Sequence, residues 1–211
     1  MPVFSKKSEP CIPSERNLMN PILISVPDWL AEETAKLPQL MPAIEERMSH
    51  VIRFSRLNFE RGTGGPFAAG LFEKESGKLV MMGVNRVVPT HVSSAHAEVV
   101  TLSLAQQALG TFDLGGAEMP EMELVVNWRP CAMCYGAMLW SGVRSLVIAG
   151  SGPECEEITG FDEGPIHPDW VGEARKRGVT VLDGVLNAEA VQVFRDFAAS
   201  GALVYNGRGG K

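Results

Sequence analysis

Two short segments, "AHAEVV" at 95–100 and "RPCAMC" at 129–134, constrain the fold of this chain more tightly than anything else in it. Each stands at the start of a predicted helix, and their polar residues suit one shared site, so the fold must join two helix starts 35 residues apart, 96 to 131. Cys131 and Cys134 lie at i and i+3, which puts both thiols on one face in the first turn behind Pro130. Unpaired amides and the positive end of the helix dipole stabilise thiolates there. In a reducing compartment such a pair suggests Zn²⁺ more than a disulfide. Two thiolates leave a tetrahedral zinc two ligands short, and His96 is the natural third, giving a Cys2His site with one position open to water. Residues two apart point roughly 200° away from each other around a helix and do not normally cooperate. At a first turn, however, side chains converge off the helix end, so His96 can bind metal while the longer Glu98 reaches a ligand beside it. With a neutral histidine and two thiolates the site is formally uncharged, and a nearby carboxylate can take a proton from the water and pass it on. Alone, PCxxC also fits a redox pair or a structural zinc half-site. The redox reading accounts for neither His96 nor Glu98.

The rest of the chain supplies a frame. Ile44, Met48, Val51 and Phe54 recur at helical spacing with Gly62 as a stop, and two strands follow, joined by a turn around Ser76 and Gly77. A helix closing at Gly110, a strand "ELVVN", the helix after Pro130 and a strand "RSLVIAG" come next. A helix in "HPDWVGEARKRG", a strand "VTVLDG" and a last helix opened by Asn187 as N-cap complete the series. Strands alternating with helices over 211 residues point to one α/β layered domain. It is expected over 41–211; residues 1–40, with prolines at 2, 10, 13, 21, 27 and 38, suit an arm wrapped over a surface, so ordered elements should begin near Met41. A net charge of −6 argues against a nucleic acid held through its phosphates. Cys11, Cys131, Cys134 and Cys155 are too few and too uneven for a disulfide scaffold, and there is neither a signal peptide nor an apolar run of membrane length. These features indicate a cytoplasmic protein without a membrane partner.

H-x-E with P-C-x-x-C is the signature of the zinc deaminases. With "GGPFAA" (64–69), "GVNRV" (83–87), "PCAMCYGAMLWSGVRS" (130–145) and "GFDEGP" (160–165), the chain resembles the cytidine-deaminase-like superfamily and, within it, the bacterial guanine deaminases. The resemblance runs from about Met41 to Asn206 and implies a three-layer α/β/α fold around a mixed five-stranded sheet. It implies one Zn²⁺ per subunit with a catalytic water, and hydrolytic deamination of a small nucleobase, guanine to xanthine first, with aminotriazines such as ammeline as further substrates. Carried over residue by residue, Asn85 grips a base edge, Glu98 shuttles the proton, and Glu163 holds the exocyclic amine and helps it leave as ammonia. Phe67, Trp140 and Phe161 are candidate apolar walls, and Ala97, inside the HAE motif, is a candidate substrate contact. The family tends to form homodimers in which the C-terminal segment of one chain covers the other's site, so residues from about 160, Tyr205 among them, are expected to act in trans.

Bland alternatives stand beside these roles. Asn85 also fits a residue that simply ends a strand, Glu163 a solvated loop charge with Asp162 as the real partner, and Phe67 and Trp140 core residues. An adenosine-editing tRNA deaminase, a cytosine or nucleoside deaminase, and a non-catalytic zinc scaffold are the competing functions. One departure is plain: the family often has a glutamate just before PC, where this chain has Asn127, Trp128 and Arg129, residues expected to border the pocket and reshape which base fits.

Overall fold

The computed structural model describes residues 21–207. Period-two patterning explains its centre. In β3 (Met122–Val126) every residue is buried, yet successive side chains enter opposite layers: Met122, Leu124 and Val126 one, Val125 the other. β1 (Ala68–Glu73) and β4 (Ser145–Ile148) divide in the same way, Leu71 and Leu146 to one side, Phe72 and Val147 to the other. A sheet apolar on both faces must be covered on both. With β2 (Leu79–Val84) and β5 (Thr180–Leu182) the strand order is β2-β1-β3-β4-β5. β1 runs antiparallel to β2 and β3, whereas β3, β4 and β5 are parallel.

One face is covered by α2 (Ile44–Glu60) and α8 (Asn187–Ala199), which contribute Met48, Val51, Phe54 and Phe194. The other is covered by α4 (Ala97–Leu109), α5 (Ala132–Ser141) and α7 (Trp170–Lys176), through Leu102, Met138 and Ala174. This is the expected three-layer α/β/α arrangement around a mixed five-stranded sheet. Arg47 of α2 is locked to the sheet by a buried ion pair with Glu123 at 2.6 Å, and Ser145 donates to the same carboxylate at 2.9 Å. On the opposite face a Cβ at Gly83 would lie 2.3 Å from Thr101 Oγ1, so the glycine lets α4 rest directly on β2. That contact sets the height of the helix end carrying His96.

Ordered structure begins earlier than the proline density suggests. α1 (Asp28–Thr34) buries Trp29 and Leu30 in the core, and Trp29 Nε1 donates to Thr63 Oγ1 at 3.1 Å. The first 20 residues of the expected arm lie outside the described residues. Asn187 is not an N-cap: it is the first residue of α8, its Nδ2 donates to Ala149 O at 3.1 Å, and Leu186, at φ 55, takes the cap position. Two further helices, α3 (Val87–Thr90) and α6 (Glu154–Thr159), are too short to show a helical period in sequence. Among the described residues no helix is long and apolar enough to cross a membrane.

Candidate active site

The ends of α4 and α5 face one point. His96 (φ −68, ψ 156) and Cys131 (φ −67, ψ 170) are the extended N-cap residues of these helices, so neither belongs to the helix it opens. This explains the two-residue spacing of His96 and Glu98: the histidine is free of the helical rotation, and Glu98 follows in the first turn. Pro130 lies one residue before this N-cap, just outside α5. The Cys131 Sγ accepts from Cys134 N at 3.5 Å, a thiol acting as the helix cap.

The ligand atoms of His96, Cys131 and Cys134 all lie within 4.8 Å of one another, and His96 Nδ1 is 3.5 Å from Cys131 Sγ. Zinc–ligand bonds of about 2.0–2.3 Å in a tetrahedron put ligand atoms about 3.5–3.8 Å apart, so the set fits Zn²⁺. The protonation pattern points the same way. The hydrogen bond with Cys134, aided by His96, pulls the Cys131 thiol down to about 4, while the same pairing together with burial pushes Cys134 well above its ordinary value. Burial lowers His96, but the Cys131 thiolate and the charges of Glu98 and Glu163 outweigh it and raise the imidazole to about 9. Burial, then the Cys131 charge, raises Glu98. Burial followed by Cys131 and Glu98 raises Glu163 to about 8, with His96 and Arg129 opposing. Four acidic groups thus crowd one imidazole, and three of them, Cys134, Glu98 and Glu163, hold their protons more tightly than usual, protons that a divalent cation would release.

A pocket opens beside this cluster. Phe67, Asn85, His96, Phe161 and Glu163 all line it, joined by Val87 and Val88, which follow Asn85 after one intervening residue, Arg86. Asn85 Oδ1 accepts from Val87 N at 3.3 Å, which orients the amide and leaves Nδ2 for a ligand. Phe161 packs on Phe67 (5.1 Å between ring centres) and stacks on Phe197 (5.6 Å, 22°), so the aromatic wall is continuous with the core. Asp162 also lines the pocket, but it is exposed and its Oδ1 accepts from Gly164 N, whereas Glu163 is buried. The C-terminal segment meets the pocket of its own chain through Leu203, Tyr205 and Asn206. Asn206 clips it there, accepting from Asp162 N at 2.9 Å and donating to Gly160 O at 2.7 Å. No local pattern announced Val88, Leu203 or Asn206; Val87 closes the motif "GVNRV".

Two expected contacts fall elsewhere. Trp140 is 90% exposed on the outer side of α5 and is no wall of this chain's pocket. Ala97, the first residue of α4, is fully buried, its carbonyl accepts from Thr101 Oγ1, and it does not line the pocket. The Asn127-Trp128-Arg129 departure lies behind the pocket rather than around it. β3 ends at Val126, Trp128 turns into the core against Phe194 (5.1 Å), and Asn127 bonds the backbone of Pro66 and Ala68.

Two helix ends that cap a His/Cys/Cys cluster, with a carboxylate in the adjoining turn, define a zinc-dependent deaminase site. Residues 41–150 match the family described as the cytidine and deoxycytidylate deaminase zinc-binding region, and the chain belongs to that family. It is similar to the guanine deaminase of Nitrosomonas europaea, with 44% identity, a TM-score of 0.81 and coverage of 86% of this chain and 98% of that one. The structure of NE0047 in complex with 2,6-diaminopurine is likewise similar (44% identity, TM-score 0.82, 89% and 98% covered). The guanine deaminase of Bacillus subtilis is 29% identical over 139 residues, 65% of this chain and 84% of that protein.

Proposed function

We propose that the protein hydrolyses guanine to xanthine and ammonia, with one Zn²⁺ per chain held by His96, Cys131 and Cys134 and one reacting water. The observation that carries this reading is the meeting of Asn85, Glu163 and the His96 edge of the metal set in one aromatic-walled pocket, with Glu98 in the turn behind. The similarity to guanine deaminases over nearly the whole chain supports it. When bound, Zn²⁺ supplies a Lewis acid that brings the pKa of a water near 7.

The chain's residues do the remainder. Asn85 Nδ2 donates to an acceptor on the base edge, and Phe67 and Phe161 cover the apolar surface of the ring. Glu98 takes a proton from the attacking water and delivers it to a ring nitrogen. Glu163 hydrogen-bonds the exocyclic amine, and the second proton of the water passes to that nitrogen, so it leaves as ammonia while the C2–N bond breaks and the C2–O bond becomes a carbonyl. Leu203 and Tyr205 bring the C-terminal segment onto the pocket, and a pocket covered there suits a bare base better than a ribose-bearing one. With the net charge of −6, this argues against a tRNA substrate.

A homodimer is part of the proposal. Met133 and Trp140 are exposed on one strip of α5 around the half-buried Gly136, over which there is open space, a surface suited to a second copy. Free thiols at Cys131, Cys134 and Cys155 favour a cytoplasmic location. The test is ammonia release by the zinc-loaded protein from guanine, guanosine, adenine, cytosine, cytidine and ammeline. Turnover of guanine is expected. Silence on guanine with turnover of another compound overturns the substrate and leaves the zinc chemistry.

A further inference from the structure

Arg129 has no part in the reading above, yet its surroundings are unusual for a surface arginine. Its side chain is only 9% exposed, and Nη1 is fully buried with no hydrogen-bond partner among the described residues. Nη2 reaches Glu156 Oε2 at 3.4 Å. Arg129 N donates to Gly150 O at 2.8 Å, so the backbone that carries the side chain is fixed as well. A guanidinium taken this far from water costs free energy unless anions compensate it.

Its two neighbourhoods are the two halves of the site. On one side the chain runs from Arg129 through Pro130 to Cys131, a metal ligand. On the other, Glu156 belongs to α6, which ends at Gly160 (φ 78) and passes at once into Phe161, Asp162 and Glu163, all three on the pocket. A backbone bond already joins the halves, Ala132 N to Glu163 O at 3.1 Å, but it holds the main chain and leaves the Glu163 carboxylate free. The Arg129 charge is felt at that carboxylate, where it opposes the effect of burial.

We propose that Arg129 is a positioning residue: through its pair with Glu156 it holds α6, and with it the Phe161–Glu163 edge of the pocket, in register with the metal-ligand loop. This rests on the deaminase reading for its kinetic consequence, but not for its structural one. Misplacing a reacting group by about 1 Å costs up to about 100-fold in rate. Lysine keeps the charge without the planar fork and restores part of the effect.

The test uses Arg129→Met, Arg129→Lys and Glu156→Gln in the zinc-loaded full chain. It measures zinc per chain, thermal midpoint, kcat and KM on the best substrate of the panel, and amide exchange at residues 160–164. Arg129→Met is expected to keep its zinc, lower kcat about 10- to 100-fold with KM changed less than about threefold, and speed exchange at 160–164. Glu156→Gln is expected to give a smaller change of the same kind at an unchanged midpoint, and Arg129→Lys to fall between Arg129→Met and wild type. Wild-type kcat and exchange in Glu156→Gln overturn the proposal, even if Arg129→Met fails to fold. Faster exchange at 160–164 in a protein silent on guanine supports the positioning role and removes only the substrate.

Discussion

Asn127→Ala removes a fully buried amide that stitches the end of β3 to the start of β1. Its Oδ1 accepts from Ala68 N at 2.9 Å and its Nδ2 donates to Pro66 O at 3.0 Å. Alanine leaves one donor and one acceptor unpaired, each at about 1–3 kcal/mol. A water admitted to the vacated space recovers part of this, which leaves a loss of about 2–4 kcal/mol. For a domain of this size that lowers Tm by about 4–16 °C. Urea unfolding of the zinc-loaded protein measures the loss, provided the m-value is unchanged. Phe67 lies between the two stitched residues and lines the pocket, so KM for the base should rise as well. Asn127→Asp keeps the acceptor for Ala68 N but turns a carboxylate oxygen toward a carbonyl, so it should lose at least as much. A loss below about 1 kcal/mol in Asn127→Ala would refute the reasoning, because one orphaned backbone group alone exceeds it.

Glu163→Gln should keep the fold and the zinc yet lower kcat by about 10²-fold or more; unchanged kinetics return the residue to an ordinary loop charge. Asn206→Ala deletes both bonds that clip the C-terminal segment to Gly160 and Asp162, worth about 1–2 kcal/mol together, so KM should rise about 5- to 30-fold and Tm should fall by no more than about 2–8 °C. Glu123→Ala strands the buried Arg47 cation and should cost about 3–5 kcal/mol in urea unfolding, far more than any surface pair.

What could be read in advance follows from how local each feature is. His96, Glu98, Cys131 and Cys134 are fixed by short spacings at helix starts, so the cap geometry that joins them was implicit in six residues on each side. The sheet was legible for a similar reason, since "ELVVN" and "RSLVIAG" carry their burial in their own patterns. Trp140 shows the limit. Being aromatic says nothing about which side of α5 a residue occupies, and this one shares the outer strip with Met133. Trp29 was hidden by neighbouring prolines, although a seven-residue helix suffices to bury it. The wall made by Leu203 and the clip made by Asn206 arise where the chain returns from 44 residues beyond Asp162. No periodicity spans such a closure.

The most direct test of the central claim, that one site assembled from two helix starts performs the chemistry through Glu98, is a paired measurement on wild type and Glu98→Gln: zinc per chain and the initial rate of ammonia release from guanine. The expected result is equal zinc in both proteins and a rate lower by about 10²–10⁴-fold in Glu98→Gln. An active Glu98→Gln enzyme with its metal in place would contradict the claim, because the proton would then travel by another route.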